Sequence, residues 1–442
     1  MADLSGFPSA ELQYDGAGNV SGTDHDLVAL AADPSVTDLV VMAHGWNEDA
    51  AEARQLYANL AVSLRAVLDG GAVPQLAGRT IAIAGLIWPA KQFADALSLT
   101  GDVTGEGVTV AAGVSERDLI GQIDALRPAF PEQSAQKVLD EAAALVPELP
   151  HRAAARGAFA DQLRSLVNPM PDDPAEGPME FFTESGTVVM ERLAEPIPMT
   201  APAAGGDPGP RNGHAVASAD PTGGSLAAAR NVLNYVTFYA MKNRSGVIGE
   251  QGLAPTIAKI KGERPAVRVH LVGHSFGARL VAAAARVAPP AGPADPIATV
   301  ALLQAAFSHY GFSDDWDPNQ PGAQTGYFRA DITGNKVVGP ILITYTVHDV
   351  PLGVPYALAT RLAGHFAPSL AGDAGDTYGA LGRNGAQRTP EVVAGQLLAV
   401  GGSYNWQPGR PHNLLGDAFI ADHSAVTGRE IAYALLSAIA TT

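Results

Sequence analysis

The sequence predicts an α/β protein: a mostly parallel, doubly wound sheet with helices on both faces and a helical segment inserted into it. Three observations carry that expectation. Apolar strands alternate with one-sided helices in both the N-terminal and the C-terminal parts of the 442-residue chain. Residues 91–224 interrupt the alternation with helical patterns alone. Between Val267 and Val287 a strand, a tight turn and a helix follow one another directly.

In chain order, the first 35 residues mix Gly, Asp and Ser with short apolar pieces, and weak strands are expected around Leu12–Tyr14 and Leu27–Ala31. Leu39-Val40-Val41-Met42-Ala43 reads as a buried strand ending in His44-Gly45-Trp46-Asn47. A helix follows, with Ala53, Leu56, Tyr57, Leu60, Leu64 and Val67 on one face and Gly70-Gly71 as its stop. The next strand runs from Ile81 to Trp88 and is closed by Pro89.

In the inserted block, Ser115-Glu116-Arg117-Asp118 has the pattern of a capping box. Further helices are expected over Pro131–Val146, His151–Val167 and Met179–Leu193. The Pro- and Gly-rich stretch Glu195–Gly224 reads as a loose connector. The expected division is therefore a core of 1–90 and 225–442 and a helical insertion of 91–224. The insertion leaves after Trp88-Pro89, at a strand's C-terminal end, so it is expected to serve as a cap; a decoration docked on the outside is the alternative.

Alternation resumes with a helix over Ser225–Lys242 and then the Val267–Val287 unit. Strands are expected near Ala298–Gln304, over Val337–Val347 and within Asn413–Ile420, and a closing helix over Gly428–Ala440. The aromatics of the Phe307–Phe328 loop fit a pocket lining or the loop's own packing.

Composition sets outer limits. A hydrophobic content of 47% with 17% charged residues supplies a sizeable core, and the formal charge of −17 argues against nucleic acid and anionic membranes as partners. With no cysteine there is no disulfide, thiolate metal site or cysteine nucleophile. No basic-then-apolar leader and no run of roughly 20 apolar residues is present, so no membrane span and a cytoplasmic location are expected. No metal or cofactor motif stands out; His348-Asp349 and His412 lack a ligand spacing.

The chemistry concentrates in Gly273-His274-Ser275-Phe276-Gly277, a G-x-S-x-G pentapeptide between strand and helix. Such a turn lifts the serine clear of the sheet and aims the next N–H, that of Phe276, at a reacting carbonyl. The helix N-terminus adds partial positive charge where an oxyanion would develop. Ser275 then needs a base, and the base needs a carboxylate to hold its tautomer. Of 11 histidines, His423 fits best, because it follows the last strand and precedes the closing helix. His44 and His274 lie inside the glycine motifs and are expected to buttress loops. Asp349, at the end of a strand, is the favoured acid, with Asp331 and the pair Asp314–Asp315 as rivals. The second oxyanion donor is expected from the N–H of Trp46, with that of Asn47 second.

These residues, in the order His44-Gly45-Trp46, Ser275, Asp349 and His423, resemble the α/β-hydrolase superfamily. Within it, the His44-Gly45-Trp46-Asn47 run and the Trp88-Pro89 pair are similar to those of bacterial esterase- and lipase-like hydrolases. The resemblance covers about residues 1–90 and 225–442, and the position of the insertion departs from the commoner placing of a cap. It implies a serine hydrolase that cleaves small-molecule carboxylic esters through an acyl-enzyme, without a cofactor. Amidase, thioesterase or acyltransferase chemistry would use the same parts, and a catalytically silent binding module is the reading from another class.

Overall fold

The computed structural model describes residues 2–90, 114–168, 174–194, 221–290, 297–317, 324–349 and 374–442, with Pro351, Leu352, Tyr356, Ala359, Leu362 and Ala363. The chain forms two compact units. One comprises Met1–Lys91, Met241–Asp349 and Ala380–Thr442, and the other Gln92–Ala240 with Val350–Gly379. The helix Pro221–Val247 therefore runs through the division, and a segment following Asp349 belongs to the second unit. Side chains tie these pieces of the second unit together. Asn231, on the helix Pro221–Val247, donates to the carbonyl of Leu193, while the Tyr356 hydroxyl donates to Glu176 and Arg192 donates to the Leu362 carbonyl.

The first unit is an α/β structure around a nine-stranded sheet. Its strands are β1 (Ala2–Leu4), β2 (Phe7–Gln13), β3 (Asp38–Ala43), β4 (Ile81–Ile87), β5 (Arg268–His274), β6 (Thr299–Leu303), β7 (Ile341–Tyr345), β8 (Val393–Gln396) and β9 (Pro411–Leu415). They lie in the order β1-β2-β4-β3-β5-β6-β7-β9-β8. Only β1 is antiparallel to its neighbour. β3 and β4 are buried at every residue, as strands covered on both faces must be. Val40, Met42, Val272, Ala301 and Leu303 share one core with the helices Ala50–Asp69 and Arg429–Ile439. Their alternates Leu39, Val41, Leu271 and Leu302 are buried on the opposite face, as the two-residue period requires.

In the second unit, the helices Glu116–Leu126, Gln133–Leu145, Ala153–Arg164 and Gly186–Ala194 pack in succession. The capping box at Ser115 forms, with the Asp118 N–H donating to the Ser115 hydroxyl at 3.2 Å. Gly157 and Gly186 let the third and fourth of these helices touch, since a side chain on either would strike Thr187 or the Gly157 carbonyl. Phe181 packs edge-on against Tyr235. The expected connector falls outside the described residues up to residue 220.

Several expectations need correction. Leu27–Ala31 is not a strand: it lies in the helix His25–Ala32, which buries Leu27, Leu30 and Ala31 at helical spacing. Met179–Leu193 is two short helices, Glu180–Thr183 and Gly186–Ala194, rather than one. The helix Ala254–Glu263 and strand β8 were not anticipated; three of the four β8 residues are exposed, which removes the apolar signature. Among the described residues, no helix is long and apolar enough to cross a membrane.

The N-terminal ends of the central strands are locked by a buried polar network. Asp38, wholly buried on β3, accepts from Arg79, from the Thr37 hydroxyl at 2.6 Å and from His270 Nε2 at 3.1 Å. His270 Nδ1 is 2.9 Å from the Thr299 hydroxyl on β6, so one imidazole ties three strands. Arg79 also donates to the carbonyls of Ile439 and Thr442, fastening the C-terminus. Burial alone would raise the Asp38 pKa, but the hydrogen bonds from Arg79, His270 and Thr37 outweigh it and hold the carboxyl well below the usual range. A depressed carboxyl stabilises the fold above its unfolded-state pKa, and the gain is lost as pH falls towards the folded value. Asp38→Asn should therefore cost about 3–5 kcal/mol at pH 7, as removal of one partner of a buried pair does. In denaturant titrations the gap to wild type should narrow as pH drops below about 4; a gap independent of pH would refute the ionic account.

Candidate active site

Ser275 sits where β5 gives way to the helix Phe276–Val287, at φ 57° and ψ −122°. A non-glycine residue in this region costs about 1–3 kcal/mol and persists only if its surroundings over-determine it. Here they do. A side chain on Gly273 would run into the Gly277 backbone, and one on Gly277 into the carbonyls of Ala43 and His44 at the end of β3. Ser275 N–H also donates to the Leu303 carbonyl at 3.0 Å, and the Ser275 carbonyl accepts from Ala306 N–H at 3.1 Å. The end of β6 thus holds both sides of the turn. The site lies where the strand order reverses: the chain runs from β3 to β4 on one side, then returns to β5 on the other. In open α/β sheets, ligands bind outside the carboxyl ends of the strands at such a reversal.

Asp349, four residues beyond β7, and His423, between β9 and the closing helix, are brought together. His423 Nδ1 lies 2.8 Å from Asp349 Oδ2, with Asp349 wholly buried. An ionised carboxylate can only accept, so Nδ1 carries the proton and Nε2 is left as the basic nitrogen. Two side chains brace the loops. Asp417 accepts from the Thr346 hydroxyl at 2.7 Å and from Val347 N–H at 3.1 Å, joining the β7 loop to the β9 loop. Arg383 donates to the carbonyls of Val347 and Asp349. Burial opposes charging of His423, but Asp349, through charge and hydrogen bond, together with Glu48 and Asp422, carries its pKa above the ordinary value. The rival Asp331 is buried on the short helix Arg329–Thr333, where desolvation drives its pKa up.

His274 links this pair to the turn. Its Nε2–H donates to the His423 carbonyl at 2.9 Å, and the two rings lie 4.8 Å apart. Burial, then the neighbouring His423, push its pKa down to about 3. On the other side, the turn is roofed by the loop after β3. A side chain on Gly45 would lie 2.9 Å from Ser275 Cβ. The rings of Trp46 and Phe276, the two expected oxyanion donors, meet at 5.9 Å. The Asn47 N–H, the second choice, donates to the Ala90 carbonyl at 3.3 Å. His44 is cross-braced by Trp88, whose backbone N–H reaches His44 Nε2 and whose indole N–H donates to the His44 carbonyl at 3.0 Å. Burial holds His44 at a pKa of about 4.

Two further residues, Glu48 and Gln304, carry no motif in the sequence. Glu48 accepts the Gly45 N–H at 3.0 Å and lies 3.9 Å from His274 Nδ1; burial raises its pKa. Gln304 donates to Asp349. Gln304 follows a strand end, as Asp349 does, and that position was its one visible signal.

The three imidazoles should therefore separate on titration. In nitrogen-detected NMR, His44 and His274 should stay neutral down to about pH 5, while His423 should titrate above the ordinary value of about 6.5. A His274 midpoint near that of free histidine would contradict the buried, neutral assignment. The chain matches no protein-family model, and neither a curated protein nor a solved structure matches it.

Proposed function

We propose that the protein is a serine hydrolase of the α/β-hydrolase type that cleaves carboxylic esters through an acyl-enzyme. The observation that carries this reading is the 2.8 Å bond between His423 Nδ1 and Asp349 Oδ2, in a loop fastened by His274 to the strained Ser275 turn. A histidine held as the Nδ1–H tautomer, and tied through its neighbour His274 to the turn that carries a serine, has the parts that nucleophilic catalysis needs.

His423 Nε2 takes the Ser275 Oγ proton as the oxygen attacks the ester carbonyl. The N–H groups of Trp46 and Phe276 receive the oxyanion. Collapse breaks the bond to the alkoxy oxygen, which leaves with the proton from His423, and Ser275 carries the acyl group. Water then attacks, gives its proton to His423, and the acid departs as the proton returns to Ser275. Asp349 stabilises the imidazolium in both halves, in keeping with the raised pKa of His423.

Ser275→Ala or His423→Ala should lower kcat by roughly 10⁴ or more on p-nitrophenyl esters, because the three residues act as a unit. Asp349→Asn should be severely impaired, since the amide can present its N–H₂ and favour the wrong tautomer. Asp331→Asn should remain near wild type. For the wild type, kcat/KM should rise with pH through the raised His423 pKa, because only neutral imidazole accepts the proton. A fluorophosphonate should label Ser275 and fail to label Ser275→Ala; an inert wild type would leave only a binding module.

We further propose that the second unit acts as a cap that selects the acyl chain. Connectivity supports this, since the chain enters that unit after Trp88-Pro89 and again directly after Asp349. Replacing residues 100–215 by a short Gly/Ser linker should shift the preference among esters of graded chain length. Ser275 should stay reactive to a small fluorophosphonate, which also reports that the site is intact. An unchanged preference and KM would remove the cap role.

A further inference from the structure

The segment that ends β6 does more than close a strand. Gln304 is wholly buried and adopts φ 45°, a left-handed conformation that a side-chain-bearing residue adopts at a cost. It lies between Leu303, whose carbonyl receives the Ser275 N–H, and Ala306, whose N–H reaches the Ser275 carbonyl. Its side chain turns towards the other half of the site: Nε2 donates to Asp349 Oδ2 at 3.1 Å and to the Gly382 carbonyl at 2.8 Å.

The hydrogen-bond chain decides the amide's orientation. Gln304 backbone N–H donates to the Thr344 hydroxyl oxygen at 3.2 Å, so the hydroxyl proton is directed to Gln304 Oε1, 2.9 Å away. With Oε1 occupied by a donor, Nε2 must face Asp349 and Gly382. Both of these are acceptors, so a flipped amide would set oxygen against oxygen on one side and leave Thr344 opposite an N–H₂ group. Gln304, Thr344 and Asp349 are all buried, so water does not compete for these bonds. The Asp349 oxygen that receives His423 is the same one that receives Gln304.

We propose that Gln304 is a positioning residue: locked by Thr344, it fixes the Asp349 oxygen that holds His423, and it couples that oxygen to the backbone segment gripping Ser275. This deepens the serine-hydrolase reading and rests on it for its kinetic consequence. The geometric part concerns His423 alone. The donor bond spreads the charge of Asp349 over a second partner. Without it, more of that charge bears on the imidazolium, while Glu48, Asp422 and His274, the other titratable groups around His423, stay as they are.

The test uses the full chain with Gln304→Met, which keeps length without donating, and Thr344→Val, which removes the lock but leaves Gln304 in place. Two measurements are made: the NMR titration of His423, and kcat and KM on p-nitrophenyl acetate. In Gln304→Met, kcat should fall roughly 10- to 100-fold with KM within about twofold, as when the partner of a functional group is removed. The His423 midpoint should rise by about half a pH unit or more. Thr344→Val should move both in the same direction by less. A folded Gln304→Met with wild-type kcat and an unmoved His423 titration overturns the proposal. If that variant does not fold, an unmoved titration in Thr344→Val overturns it equally. A wild type inert to fluorophosphonate, with a His423 titration that still depends on Gln304, would sink the hydrolase reading and leave the positioning contact standing.

Discussion

The helix that starts at Phe276 approaches the end of β3 so closely that only glycine fits at 277, and the site's geometry depends on that contact. Because the helix sits so near, the chain must leave β5 abruptly, and Ser275 takes up the left-handed conformation. The same closeness brings the loop after β3 over the turn, with Gly45 against Ser275 and the Trp46 ring against Phe276. His44 is buried in consequence, and it is held by Trp88 rather than by solvent. One steric constraint thus sets the serine, its neighbouring amides and the brace behind them.

The two ends of the sheet are organised by opposite chemistry. At the N-terminal ends, Asp38, Arg79, His270 and Thr299 form a compact charge-assisted network in which donors and acceptors answer one another. At the C-terminal ends, polar groups are also buried, but they drive two neighbouring imidazoles apart in pKa. His423 is raised in pKa by Asp349, while His274, beside it, is suppressed by burial. A neutral His274 can donate to the His423 carbonyl without adding a competing positive charge. Separate environments, a few ångströms apart, keep one imidazole titratable and its neighbour inert.

Several core elements were legible because they obey simple periods. Leu39–Ala43 and Ile81–Ile87 are continuous apolar runs, and Ala50–Asp69 repeats its apolar face every three to four residues. Leu27–Ala31 misled because a short apolar run fits a strand or a helix turn equally well. β8 was invisible because an exposed edge strand carries no apolar signature. Residue patterns carry no mark of the division between residues 240 and 241, because it falls within the continuous helix Pro221–Val247.

For the candidate site, the sequence by itself determined the turn that carries Ser275, since the two glycines and the strand-to-helix switch are local features whose sterics can be read from neighbouring residues. It also narrowed the candidates for the proposed base and acid to residues after strand ends, which placed His423 and Asp349 ahead of their rivals. Only the tertiary structure decided that these two meet at 2.8 Å, because their 74-residue separation is closed by the parallel pairing of β7 with β9. It alone disclosed Glu48 and Gln304, whose roles depend on what lies across a loop or a strand end. A polar residue at the end of a strand is common in any sequence; what distinguishes Gln304 is that Thr344, on the neighbouring strand, leaves its amide one way to point.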